Sequence, residues 1–160
     1  MARAPRPAVY IATAEAGDVE MATRIMAHRA RRGAGWTTIE EPLKLAEALE
    51  RRRAHGQPVL VDCLTLWLSN LMHAGADLDE ATDELLQALG DGASPVVFVS
   101  NEVGLGLVPE TPLGRVLPRC PGPAEHARWP SAADRVILMA AGLPLTMKDR
   151  PARAADVPLS

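Results

Sequence analysis

Two continuous apolar runs, PVLVDC at Pro58–Cys63 and PVVFVS at Pro95–Ser100, constrain this chain more than any other feature. A strand with one wet face alternates apolar and polar residues. A strand covered on both faces does not, and parallel sheets are built of the second kind. Val9–Thr13 (VYIAT) reads as a further buried strand, too short and too rich in β-branched residues for a helix, and Arg135–Ala140 (RVILMA) as another. Helical patterns lie between these runs. Asp18 can cap a helix to about Arg32, in which Met21, Ile25, His28 and Arg32 share one stripe. Gly33-Ala34-Gly35 stops it, and Trp36–Ile39 is a short extended piece. Pro42 opens a helix over Leu43–Arg53, and Leu64, Leu68 and Leu71 set another stripe. Asp77 or Asp79 starts a last helix, which Gly90 ends after Leu89. Strands alternating with helices predict an α/β fold with a mainly parallel sheet flanked by helices, its ligands bound where the strands end.

A chain of 160 residues suits one domain, expected over 1–148, with 149–160 a loose tail for want of periodicity. Seventeen Lys+Arg against 20 Asp+Glu leave a net charge of -3, which excludes a generally basic nucleic-acid binder. Aromatic residues are only 3%, so no stacking platform for bases is evident. No apolar run approaches the roughly 20 residues of a membrane span, and no signal-peptide pattern follows Met1. Cys63 and Cys120 are too few for a disulfide framework, so the expected compartment is the reducing cytoplasm.

Polar groups end the predicted strands at Thr13-Ala14-Glu15, Asp62 and Asn101-Glu102, and a parallel sheet would crowd them on one rim. A carboxylate in the place of Asp62 commonly holds the Mg²⁺ of a nucleoside triphosphate, usually through water. Aspartate is also a favoured N-cap, so the residues alone leave both roles open. His28 has Arg24, Arg29, Arg31 and Arg32 within about a helical turn. Positive neighbours favour the neutral imidazole, a competent nucleophile, and arginines can hold a polyphosphate against it. The bland reading is a half-buried histidine on a helix whose arginines face water. His55, His73 and His126 have no such company. Asn101–Pro109 (NEVGLGLVP) places two glycines after a strand, a weak sign of close backbone approach to a ligand. No G-x-x-x-x-G-K-S/T phosphate loop occurs, and the lysines are Lys44 and Lys148 alone. Asp62 and Glu102 as the acid/base pair of an unrelated α/β hydrolase is a further reading.

Taken together, YIATAEAGDVEMATRIMAHRARRGAGW, VLVDCLTLWLSNL, VVFVSNEVGLGLVPETPLGR and SAADRVILMAAGLPLTMK resemble, in order, the bifunctional adenosylcobinamide kinase / adenosylcobinamide-phosphate guanylyltransferase family of cobalamin biosynthesis. The resemblance runs from about Val9 to Lys148. It implies a P-loop NTPase-like fold, commonly a homotrimer, and two reactions. Adenosylcobinamide is phosphorylated from ATP or GTP, and GMP is then transferred from GTP to the phosphate, giving adenosylcobinamide-GDP. The second reaction passes through a guanylylated histidine, whose matching position is His28. Nucleotide contacts carry over to Ala12, Thr13 and Ala14, to Arg29, Ala30, Arg31 and Arg32, and to Glu40 and Asp62. Mg²⁺ accompanies the nucleotide, and Asp62 can either orient it through water or bind a sugar or base donor. Nucleic acid and membrane spans are not expected.

The chain departs from the family's pattern twice. Members carry a strand, a G-G-x-x-S-G-K-S loop and a helix ahead of the segment matching Val9, and this chain opens on what reads as the end of that helix. An in-frame upstream segment encoding that unit is therefore expected. The loop's amides and lysine make most of a triphosphate cradle. At roughly 1.5–3 kcal/mol for each charge-assisted bond, losing three or four turns a micromolar site into one weaker than about millimolar. The chain as it stands is thus expected to be impaired, and the alternative is a non-catalytic nucleotide-binding or assembly subunit of the same family. The second departure is Leu117–Trp129 (LPRCPGPAEHARW), where Pro118, Pro121 and Pro123 oppose the family's helix. Synonymous codons for Leu117–Ala127 exist that, read one base later, encode F-R-D-V-Q-G-R-L-N-T, the family's helix pattern. A compensated frameshift ending near Trp129 is expected, which leaves Cys120 and His126 without a role.

Overall fold

Val9 and Ile11 on one strand, and Val59 and Val61 on its neighbour, are almost wholly withdrawn from water. The computed structural model that shows this describes residues 7–17, 19–33, 35–53, 55–90, 94–101 and 128–150. The chain divides into two compact units, Met1–Leu117 and Pro118–Ser160.

In the first unit, β1 (Ala8–Ala12), β2 (Trp36–Glu40), β3 (Val59–Asp62) and β4 (Val96–Val99) form a wholly parallel sheet in the order β2-β1-β3-β4. The helices are α1 (Val19–Arg31), α2 (Leu45–Arg53), α3 (Leu64–Ala74) and α4 (Leu78–Leu89). The α/β class and the parallel pairing follow the sequence expectation. Register pairs Val9 with Val59 and Ile11 with Val61, so these side chains share one sheet face. Leu45 and Leu49 of α2, Trp67 and Leu71 of α3 and Leu85 of α4 are buried with them.

The other face differs from expectation. The apolar run of β4 reads as a strand covered on both sides, yet Val97 is 54% exposed and Val99 38%. They pair in register with Leu60 and Asp62, on the face opposite the core. Among the described helices the one on this side is α1, and none of its residues is buried. Met21 and Ile25 of its predicted stripe are half-buried, and His28 is exposed.

Helix ends are set by side chains. Asp77, one of the two candidate caps, is the N-cap of α4, its Oδ1 accepting from the amides of Asp79 (2.9 Å) and Glu80 (3.1 Å). Helix α2 begins at Leu45 rather than Leu43, because the Glu41 carboxylate takes the amides of Leu43 (3.3 Å) and Lys44 (2.8 Å) and stands in for the first turn.

The second unit holds α5 (Arg128–Ala132) and a hairpin of β5 (Arg135–Ala140) and β6 (Leu143–Asp149). The strand predicted over Arg135–Ala140 forms, but its pairing is antiparallel. The reason is the two-residue turn Ala141-Gly142, with φ of 50° and 78°, the geometry that returns a strand on itself. Asp149 and Arg150, expected in the tail, are instead held. Asp149 belongs to β6, where its carboxylate receives Arg135 through Nε and Nη2, both at 3.1 Å, and the Arg150 amide donates to the Asp134 carbonyl at 2.8 Å. The proline-rich stretch Leu117–Ala127 and the glycines of Asn101–Pro109 beyond Asn101 lie outside the described residues.

Candidate active site at the carboxyl rim of the sheet

Parallel strands end together, and here the ends carry the predicted site residues. Ala12 is the Cα partner of Glu40 on one side and of Asp62 on the other. Adjacent strands are about 4.8 Å apart, so Glu40, Ala12 and Asp62 form a row with the carboxylates on strands about 10 Å from each other. A cleft of about 660 Å³ opens beside this row. Ala14 and Glu15 line it from the loop after β1, Glu40 and Pro42 from the end of β2, and Ile25, Met26 and Arg29 from α1. Arg29 Nη1 meets Glu40 Oε1 at 2.9 Å, so the cleft holds a neutralised pair with apolar walls beside it.

The arginines beside His28 divide by role. Arg29 is paired with Glu40. Arg32 donates through Nε to the carbonyl of His28 at 3.2 Å and lays its guanidinium 3.7 Å from the centroid of the Tyr10 ring. Ala30 and Arg31 are exposed, and Arg31 has no ion-pair partner among the described residues. His28 is exposed in the last turn of α1, and it is not among the residues that line the cleft. Its ring nitrogens carry no hydrogen bond among the described residues. By contrast, Nδ1 of His55 lies 2.6 Å from the Arg51 carbonyl, and Nδ1 of His73 lies 2.7 Å from the Ser69 carbonyl.

Thr13, to which the resemblance carries over a nucleotide contact, has its side chain engaged within the sheet. It is wholly buried, and its Oγ1 donates to the Cys63 carbonyl and accepts from the Cys63 amide, both at 2.8 Å. Both functions of the hydroxyl are therefore spent on joining β1 to β3. Asp62 does not cap α3. Cys63 holds that position and makes no side-chain cap bond, while the Asp62 carboxylate accepts from the Tyr10 hydroxyl. Burial, and then the Asp62 carboxylate beside it, push the Tyr10 phenol above its ordinary pKa, so it stays a neutral donor. Burial likewise pushes the Cys63 thiol up. Among the described residues no cluster of three or more His, Cys, Asp or Glu is arranged to hold a metal.

Sequence reasoning overlooked Tyr10 and Asn70. Asn70 Nδ2 donates to the Thr13 carbonyl at 2.7 Å and to the Pro42 carbonyl at 3.1 Å, tying the loops after β1 and β2 to α3. An amide between Trp67 and Leu71, beside the buried stripe of an apolar helix, was the available signal. Asn70→Ala leaves two carbonyls without donors and is expected to cost about 2 kcal/mol in urea unfolding. Asn70→Asp, which cannot donate, is expected to cost at least as much. Wild-type midpoints in both variants would show that the rim does not depend on this clamp.

A parallel sheet with charged strand ends beside a rim cleft places the protein in the doubly wound α/β class, P-loop NTPase-like in architecture. Residues 1–147 match the family model described as cobinamide kinase / cobinamide phosphate guanyltransferase. The chain belongs to that family. It is 46% identical over 149 residues to the bifunctional adenosylcobalamin biosynthesis protein CobP of Pseudomonas aeruginosa, covering 89% of this chain and 83% of the relative. It is 33% identical over 155 residues to the bifunctional adenosylcobalamin biosynthesis protein CobU of Salmonella typhimurium, covering 88% and 85%. To CobU of Escherichia coli it is 32% identical over 155 residues, with the same coverage of 88% and 85%. This membership removes the reading of an unrelated hydrolase. No helix among the described residues is long and apolar enough to cross a membrane.

Proposed function

We propose that this protein acts in cobalamin biosynthesis, phosphorylating adenosylcobinamide from ATP or GTP and transferring GMP from GTP to the resulting phosphate. In the transfer, a ring nitrogen of His28 attacks the α-phosphorus of GTP. A nitrogen–phosphorus bond forms, the bond to the bridging oxygen breaks, and pyrophosphate leaves as the imidazole proton passes to solvent. An oxygen of adenosylcobinamide phosphate then attacks the same phosphorus. The histidine leaves, is reprotonated as needed, and adenosylcobinamide-GDP is released. Arg31, exposed and unpaired among the described residues, supplies positive charge to the phosphates, and the cleft between Ala14, Arg29 and Glu40 takes part of the nucleotide.

The observation that carries this reading is the histidine itself. Of the described histidines His28, His55 and His73, it alone keeps both ring nitrogens unengaged, and it stands on an arginine-bearing helix beside the rim cleft. With Glu40 paired to Arg29, Asp62 is the rim carboxylate with an oxygen to spare, which fits a magnesium ion held mainly by water and substrate phosphates. Asp62 would hold it through water, and Mg²⁺ bound there supplies charge neutralisation on the phosphates. A homotrimer is the assembly proposed.

The test is incubation with adenosylcobinamide, ATP, GTP and Mg²⁺, followed by mass spectrometry. GTP is used at up to about 10 mM, so that even a millimolar site is filled. The expected products are adenosylcobinamide phosphate and adenosylcobinamide-GDP. GTP binding with neither product would overturn the enzymatic reading in favour of a binding or assembly subunit.

A further inference from the structure

Helix α1 carries His28 yet buries none of its own residues, so a core does not set its position. The contacts that reach it from the sheet are therefore of unusual weight. One is the Arg29–Glu40 pair, between two exposed side chains and so worth little. Another runs through Tyr10 on β1. Its ring lies 3.7 Å under the Arg32 guanidinium, and Arg32 in turn holds the His28 carbonyl. Trp36 meets the Tyr10 ring edge-on, with centroids 6.1 Å apart and planes at 88°, and so limits where the ring can go. The Tyr10 hydroxyl, at the opposite end of the same side chain, donates to Asp62. Arg32 Nη1 is buried without a hydrogen-bond partner among the described residues, and the guanidinium that carries it is stacked on Tyr10.

We propose that Tyr10 is a positioning residue that fixes the His28 helix relative to Asp62, its ring seating Arg32 and its hydroxyl seating the carboxylate. The inference rests on the transfer reading above for its consequence in rate, and on geometry alone for its consequence in order. The two ends of the side chain have separable jobs. Tyr10→Phe keeps the ring and loses the hydroxyl. Tyr10→Leu loses both.

The test compares both variants with the wild type in two measurements on the whole protein. The first is hydrogen exchange of the 19–31 segment, without nucleotide. Tyr10→Leu is expected to speed exchange there by about 10-fold, the scale of a lost cation–π contact, and Tyr10→Phe by much less. Equal exchange in the two variants overturns the proposal, whatever the enzyme does. The second is single-turnover guanylylation of His28 across GTP concentrations. Tyr10→Phe is expected to lower the maximal rate more than it raises the GTP needed for half-saturation, because it disturbs Asp62, whose charge acts on the transition state. Tyr10→Leu is expected to lower the maximal rate about 10-fold further, because it also loosens the His28 helix. A purely structural tyrosine would shift melting in both variants and leave this division between binding and rate absent. That result overturns the proposal. Absence of label from the wild type would overturn the transfer reading while leaving the exchange result to decide the positioning of α1.

Discussion

His28→Ala is expected to retain no acid-labile label after incubation with GTP labelled at the α-phosphate, under conditions where the wild type is labelled. Nothing else in the proposed mechanism can form the nitrogen–phosphorus bond, so the loss is complete rather than partial. The substitution should not disturb the fold. His28 is exposed, sits late in a helix and packs into no core, so unfolding should move by no more than about 0.5 kcal/mol. His73→Ala is the control. Its Nδ1 already faces the Ser69 carbonyl and it stands on α3, away from the arginines, so label should persist. Undiminished labelling in His28→Ala would remove this residue as the nucleophile.

The second large effect is expected at Asp62. Asp62→Asn keeps the side chain's size and can still accept from the Tyr10 hydroxyl, while losing the charge. No helix cap is lost, since Cys63 and not Asp62 occupies the N-cap of α3. Stability should therefore change by about 1 kcal/mol or less. GMP transfer should fall on the order of 10²-fold, because charge placed against a developing transition state is worth more than its ground-state contacts. Thermal melting beside transfer kinetics at raised Mg²⁺ separates the two quantities. Early melting with transfer at full rate would make Asp62 a structural residue.

The parallel core was legible because apolar runs report burial directly. Val9, Ile11, Val59 and Val61 are where the patterns place them, and Asp77 caps the helix that its position predicts. Pairing direction was less legible. The run Arg135–Ala140 looks like the others, and only Ala141-Gly142 with its two positive φ angles makes it half of a hairpin. The rim was legible as a set of positions and illegible as a set of contacts. Sequence placed Thr13 and Asp62 on one edge, with Glu40 added by the resemblance alone, but could not show that Thr13 spends its hydroxyl inward on a strand that follows nearly fifty residues later. Nor could it show that Arg32 turns from the solvent to Tyr10, since α1 has an arginine-rich pattern that fits a solvated face equally well. Asn70 was passed over for the opposite reason, as a polar residue within a helix read by its leucines.

The mutual pair of hydrogen bonds between the Thr13 hydroxyl and the Cys63 backbone has a bearing on assembly of the sheet. It closes only when the last residues of β1 and β3 stand level, as Ala12 and Asp62 do. A slip of one residue would turn the hydroxyl to the opposite face and strand it there without partners. Aliphatic side chains tolerate such slips far better, because any apolar neighbour satisfies them. In a sheet whose central strands are almost uniformly aliphatic, this one hydroxyl works as an alignment mark, rewarding the single register in which the carboxylates come to the edge together.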